Sequence, residues 1–360
     1  MGMRNSRNRL KSFLKRIGVG PRGSKDLEYE EAFEAMDVIL SGDYEPATLG
    51  AFLMAMRWKG PTAEELAAFA DAFASRITRP EIRLDNVIDI GGAFDGKNRT
   101  LILSVPAALV AAGAGAGIVF VGADNVPPKR GVTPGAVLRA LGIETRRKLA
   151  SSAVDISSCG VGFVDLAIAC PVWKELLPIR DAVVKRTFLN TIEPLLNPLG
   201  VSVHFGSVFH RPFGERVCEA AGSARRLGFE RVVIAEGVEG ATEIGGGVTR
   251  FYEKAMNGIR TYDIDLRELG IAARTEEIRS SAVTMEQLSS ESARSTELLL
   301  TGGTVSEAYR DLVLANAAVL LHVGRIVSGW EEGLELARAS LTSGAAWTAL
   351  SEWRRRGREE

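Results

Sequence analysis

Between residues 26 and 80 the apolar positions return at helical spacing, with Phe33, Ala35, Met36, Ile39 and Leu40 beside Glu30 on a mixed amphipathic face. Pro46, after Tyr44 and Glu45, fits the first turn of a helix. Thr62 with Glu65 forms a capping-box pattern for the next one. From Asn86 the pattern changes to short apolar runs separated by helical stretches, with strands expected at 86–90, 118–121 and 161–167. Residues 172–197 read as helix again. Strands follow at 201–205 and 231–235, with a helix from Glu215 to Leu227 between them. The C-terminal third reads as helical, with capping boxes at Thr304/Glu307 and Ser328/Glu331. Strands alternating with helices predict an α/β fold around a mixed or parallel sheet. The expected division is a basic tail at 1–25, a helical lobe at 26–80 completed by 172–198, and an α/β lobe made of 81–171 and 199–360 with the C-terminal helices.

The stretch Leu101 to Val121 carries no charge over 21 residues, long enough to cross a bilayer. Its Ala and Gly content, with Ser104 and Pro106 inside it, divides it instead into strand, helix and strand. Strands buried on both faces read as unbroken apolar runs. Gly113, Gly115 and Gly117 superficially resemble a dinucleotide motif, but they follow a helix and not a strand. They fit a helix end packed closely on a neighbour.

Composition narrows the classes. The 360 residues are 46% apolar and 25% charged, with a net charge of −1, so no global field points to nucleic acid or membrane. Cys159, Cys170 and Cys218 are odd in number and widely spaced, which fits a reducing compartment. The N-terminus lacks the apolar core of a secretory signal, and a cytoplasmic location is expected. His204, His210 and Cys218 fit no common zinc spacing. The first 25 residues hold eight cations and no acid: Arg4, Arg7, Arg9, Lys11, Lys15, Arg16, Arg22 and Lys25. Leu10, Phe13, Leu14 and Ile17 would put an apolar stripe on a basic helix there, a surface for nucleic acid or anionic lipid. A solvated or loosely docked tail is the expectation, since chain ends are usually mobile.

The candidate chemistry lies at 91–104, where Gly91, Gly92 and Gly96 join a strand to the Ala-rich helix at 106–112. Glycines let the backbone approach an anion, and the amides of a turn or helix start donate to it. Asp95 could hold a metal through water, and Ser104 offers a hydroxyl ligand. An ordinary strand-to-helix loop has the same glycine count.

Other segments tip the balance. Asp89, Gly91, Gly92, Asp95, Gly96 and Ser104 match the diphosphate loop Asp-x-x-Gly-Thr-Gly-Gly-Asp-Gly, with its following Asn-x-Ser-Thr, of the anthranilate phosphoribosyltransferase-like family (glycosyltransferase family 3). The stretches 51–60, 62–65, 178–180, 186–198, 316–318 and 331–350 resemble its helices, in order, over about residues 26–352. The resemblance implies a fold of the nucleoside phosphorylase/phosphoribosyltransferase type, with a cleft between the lobes and dimerisation through the helical lobe. It implies phosphoribosyl diphosphate, or another phosphorylated small molecule, held by Gly91, Gly92, Asp95, Gly96, Ser104, Lys129 and Arg130. It implies Mg²⁺ at Ser104 and Glu243, and an acceptor pocket at Asn125, Cys170, Arg180 and Arg186.

The departures from the family pattern are several. An Asp-Glu pair becomes Thr242-Glu243, Asn-x-Ser-Thr becomes Ile102-Leu103-Ser104-Val105, a Lys-His-Gly-Asn stretch becomes Val121 to Asn125, and a pocket His-Pro becomes Cys170-Pro171. The expectation is therefore pentosyl or phosphoribosyl transfer to an acceptor other than anthranilate, in a divergent branch with a degenerate site. The alternative is a non-catalytic, nucleic-acid-binding member of the same fold.

Overall fold

Apolar stripes, not intrinsic propensity, fix the first four helices, because short helices gain most of their stability from packing. The computed structural model of the chain describes residues 3–20, 22–92, 94–255 and 258–358. It begins with α1 (Met3–Ile17), α2 (Tyr29–Leu40), α3 (Pro46–Lys59) and α4 (Ala63–Ala74). Pro46 opens α3, and Thr62 and Glu65 close the capping box on α4. The expected tail is corrected here. Leu10, Phe13 and Ile17 of α1 are buried, and α1 packs on α2 and α3. The side chains of Arg4 and Arg7 lie outside the described residues.

The α/β part continues with β1 (Val87–Gly91), α5 (Ser104–Gly113), β2 (Gly117–Gly122), α6 (Pro134–Ala140), α7 (Leu149–Cys159) and β3 (Val161–Asp165). Three short helices, α8 (Leu166–Ala169), α9 (Leu177–Val183) and α10 (Leu189–Ile192), lead back towards the first lobe, where α9 touches α3 and α10 touches α4. Then come β4 (Val203–Val208), α11 (Arg211–Ser223), β5 (Arg231–Glu236), β6 (Val248–Ala255) and β7 (Gly258–Asp265). Four helices finish the fold: α12 (Met285–Leu300), α13 (Glu307–Val323), α14 (Trp330–Thr342) and α15 (Ala345–Arg356).

The seven strands form one sheet in the order β3-β2-β1-β4-β5-β6-β7. β1 to β5 run parallel, and β6 and β7 are antiparallel. Two cores cover its faces. Ile88, Ile90 and Phe120 pack under α5, α13 and α15, while Val87, Val119 and Ile234 face α11 and the helical lobe. The β6–β7 hairpin was not expected. Its charges, Arg250, Glu253, Arg260, Asp263 and Asp265, mask the strand pattern, and they suit an edge that must not pair with another chain.

Other differences are local. Leu101 to Leu103 form no strand, because Leu101 N–H bonds Ile278 O across the chain at 3.0 Å. The cap of α13 is Ser306, not Thr304, and α14 starts from Gly329 without a side-chain cap. Gly113 does pack tightly: a Cβ there would lie 2.6 Å from Ala346 N. Among the described residues no helix is long and apolar enough to cross a membrane.

Because Leu10 is fully buried, Leu10→Ala should cost about 2–5 kcal/mol through a cavity. Urea unfolding checks this. A midpoint equal to the parent's would contradict a docked α1.

Candidate functional site

Parallel strands end at loops whose backbone groups the sheet no longer pairs, and an α/β sheet gathers its ligands where the strand order reverses. Here β1 sits between β2 and β4: the chain runs from β1 out through β2 to β3 and then returns to place β4 on the other side of β1. A small cavity of about 30 Å³ lies there. Gly92, Phe94 and Gly96 line it from the loop after β1, Val121 and Gly122 from β2, and Thr242 and Glu243 from the segment after β5. Lys97, Ser104 and Thr133 supply further polar groups.

Two carboxylates from the segment after β5 anchor this loop. The first turn of α5 exposes amides that no side chain of its own caps. Glu243 fills that role from across the fold. Its Oε1 accepts from Leu103 N at 3.0 Å, Ser104 N at 3.0 Å and Ser104 Oγ at 2.9 Å. Its Oε2 is ion-paired with Lys97 Nζ, which also donates to Leu101 O at 2.9 Å. Lys97 and Glu243 side chains are each 1% exposed.

Glu239 fills a second cluster of amides. It accepts from the backbone of Asn98 at 3.1 Å, Arg99 at 3.2 Å and Thr100 at 3.1 Å, and from Thr100 Oγ1 at 2.9 Å. Its backbone is left-handed at φ 54°, a conformation that a residue with a Cβ adopts only when its surroundings dictate it. Burial works against its charged form. The Asn98 amide, the Lys129 charge and the Thr100 hydroxyl outweigh that and hold its carboxyl below the ordinary value.

Lys129, Arg130, Arg180 and Arg186 are likewise paired within the chain. Lys129 Nζ is 3.4 Å from Glu239 Oε2, and burial lowers its pKa. Arg130 binds Asp181 at 2.7 Å and Asn125 Oδ1 at 2.9 Å. Arg186 grips Asp95 through two bonds of 2.7 Å. Arg180 pairs with Glu193 in full burial, and Trp173 Nε1 donates to the same carboxylate at 2.7 Å. Burial pushes the Glu193 carboxyl up, against the pull of Arg180 and Trp173.

Residues 11–77 match the helical bundle domain of the glycosyl transferase family, and residues 84–347 match its a/b domain. Anthranilate phosphoribosyltransferase 2 of Ralstonia nicotianae is 30% identical over 344 residues, 95% of either chain. Anthranilate phosphoribosyltransferase of Rhodospirillum rubrum is 31% identical over 349 residues, 96% of this chain and 94% of the relative. The chain belongs to this family of glycosyltransferases. In fold it is similar to anthranilate phosphoribosyltransferase from Thermus thermophilus, with a TM-score of 0.81, 27% identity, and coverage of 98% of this chain and 99% of that one. The Saccharomyces cerevisiae enzyme in complex with PRPP and Mg also gives 0.81, at 21% identity and 98% coverage of both chains, and shows the fold alone.

Within the glycosyltransferase fold, the residues expected at the site divide. Gly92, Gly96, Ser104 and Glu243 line the pocket. Gly91, Asp95, Lys129 and Arg130 stand around it, engaged with other parts of the chain. Gly92 does not leave room for an anion on its Cα side, because a Cβ there would lie 2.9 Å from Thr242 N. Gly96, at φ 82°, likewise presses on Gly131, with 2.3 Å between its Cβ position and that carbonyl carbon. Asn125 is exposed and tied to Arg130. Cys170 lies in the core under the helical lobe, where burial pushes its thiol up to about 11. Arg180 is sealed in its ion pair. These three do not line the pocket. His204 meets Asp89 at 3.5 Å inside the sheet, and among the described residues no group of three metal-ligating side chains forms.

The expected magnesium site fails on its donors. Both oxygens of Glu243 are committed, Ser104 Oγ donates to one of them, and the neighbouring acid is a threonine. A cation placed there would meet the Lys97 ammonium, so these residues do not fit a magnesium ion held by the chain. Lys97 and Glu239 were not among the expected site residues. In Asp-Gly-Lys-Asn a lysine reads as a solvated turn, and Glu239 sits in an acidic, glycine-rich stretch. One signal for Lys97 existed: a single acid at 243, without its usual acidic neighbour, needs one buried cation to balance it.

Glu239→Gln loses charge and one acceptor, and at pH 7 should cost about 1–3 kcal/mol. A carboxyl depressed in the folded state contributes stability above its unfolded pKa, and that contribution disappears as pH falls through the folded value. The difference between parent and variant should therefore be full at neutral pH and shrink below the ordinary value of 4.5. Denaturation series at several pH values measure it. A difference that stays constant with pH would contradict the charged role.

Proposed function

We propose that the pocket at the carboxyl end of β1 binds a phosphorylated pentose donor of the phosphoribosyl diphosphate class and transfers its pentosyl group to an uncharged acceptor. The observation that carries this reading is the pocket itself. Gly92, Gly96 and Ser104, which match the family's diphosphate loop, share its wall with the buried Lys97 ammonium. That cation is a strong partner for a phosphate oxygen. No metal step is part of the proposal, since the donors at Glu243 are committed.

The acceptor follows from the arginines. A guanidinium recognises a carboxylate through parallel N–H bonds. Arg186 already spends that geometry on Asp95, and Arg180 is neutralised by Glu193. An anionic benzoate would have to displace a buried acid from its partner, leaving that acid uncompensated. A neutral nitrogenous acceptor carries no such cost.

Self-association through the helical lobe accompanies this proposal. Trp58 is 78% exposed and Met54, one turn earlier on α3, is 37% exposed. Such apolar exposure on one helix face suits an interface. Trp58→Glu should move sedimentation from dimer to monomer, and a parent protein that sediments as a monomer would contradict it. The nucleic-acid reading has no comparable support. Arg9 pairs with Glu34 and Arg16 with Glu31, so part of the basic N-terminal face is already neutralised.

Calorimetry with phosphoribosyl diphosphate should give saturable binding, and its absence would contradict the donor assignment. With donor supplied, anthranilate should be consumed more slowly than about 1 per second, the low end of ordinary turnover. Faster consumption would contradict the acceptor argument.

A further inference from the structure

We infer that Lys97 takes the place of a divalent cation in this site, so that phosphate is bound without a metal. An ammonium group has three N–H donors. One goes to Glu243 Oε2 and one to Leu101 O, and the side chain lines the pocket with the third left over. Glu243 is the acid that a metal would need. Its other oxygen is held by two amides and a hydroxyl at the start of α5. The Lys97 charge thus neutralises the acid as a metal would, and its third N–H is left to donate to an incoming phosphate oxygen. Unlike a metal, it is covalently part of the loop, and its position is set by the backbone pairing of Lys97 with Val132, at 2.8 Å in both directions.

Among the described residues, the other polar groups near Lys97 form no competing ligand set. Thr242 replaces a carboxylate with a hydroxyl, and Glu239 is turned onto the amides of 98–100. Asp95, the remaining loop acid, holds Arg186. A divalent ion would have to break at least one of these pairs and stand beside an ammonium in a low-dielectric pocket.

The inference rests on a phosphorylated ligand entering this pocket, and its test separates the two. Manganese alone, titrated into the full chain and followed by electron paramagnetic resonance, contains no phosphate. The parent should take up no ion that Glu243→Gln removes. Lys97→Met, which frees Glu243, should gain one manganese site, and adding Glu243→Gln should abolish it. A Glu243-dependent site in the parent, or no gain in a folded Lys97→Met protein, would overturn the inference. If Lys97→Met does not fold, the comparison of parent with Glu243→Gln still decides.

Pyrophosphate is the second probe, by calorimetry on the parent protein. Its affinity with a chelator present should match that with Mg²⁺ within about threefold, and a loss of about tenfold or more in the chelator would overturn the inference. Absence of heat in both buffers would instead remove the phosphate reading, while the manganese result still judges Lys97.

Discussion

The carboxylate of Glu243 and the ammonium of Lys97 are both sealed from water, and neither could remain charged there alone. Removing one partner of such a pair costs about 3–5 kcal/mol, because the other stays buried and uncompensated. The pair also does positional work. Glu243 caps α5, which packs against α13 and α15 on one face of the sheet. Lys97 ties the glycine loop to Leu101 and, through its backbone, to Val132. The loop, the start of α5 and the segment after β5 are thereby held in one arrangement, and the pocket is the space they leave.

The same principle runs outward from that pair. Glu239 holds the next amides along the loop, Asp95 holds Arg186, and Asp181 holds Arg130. Two of these pairs, Asp95–Arg186 and Arg130–Asp181, join loops of the sheet to the segment that packs under the helical lobe. The overall fold is similar to a solved relative at a TM-score of 0.81, and Lys97, Lys129, Arg130, Arg180 and Arg186 are each balanced by an acid of this chain. A ligand entering here meets one spare ammonium donor, hydroxyls and apolar walls such as Phe94, Ile102 and Phe120.

The strands of the parallel sheet were legible because both of their faces are buried: Gly117–Gly122 reads as an unbroken apolar run, and Val87–Gly91 is interrupted only by the buried Asp89. The capping box on α4 and the prolyl start of α3 were legible because they are local hydrogen-bond and φ constraints. The loop was found by its glycines, although Gly92 and Gly96 serve close chain-to-chain packing more than anion access. What escaped depends on distance in sequence. Nothing near Lys97 announces a partner at 243, and nothing near Glu239 announces amides at 98–100. The charged edge hairpin β6–β7 and the docked α1 escaped for a related reason. Their charges are satisfied or solvated in the fold, whereas in the sequence they resemble loop and tail.

A crystal structure of the protein grown with phosphoribosyl diphosphate and manganese, with anomalous data at the manganese edge, tests the central claim most directly. Such a crystal should show a phosphate oxygen within hydrogen-bond distance of Lys97 Nζ, Glu243 still bonded to Ser104, and no manganese peak at Glu243. A manganese ion coordinated by Glu243 and Ser104, with Lys97 swung out of the pocket, would contradict it.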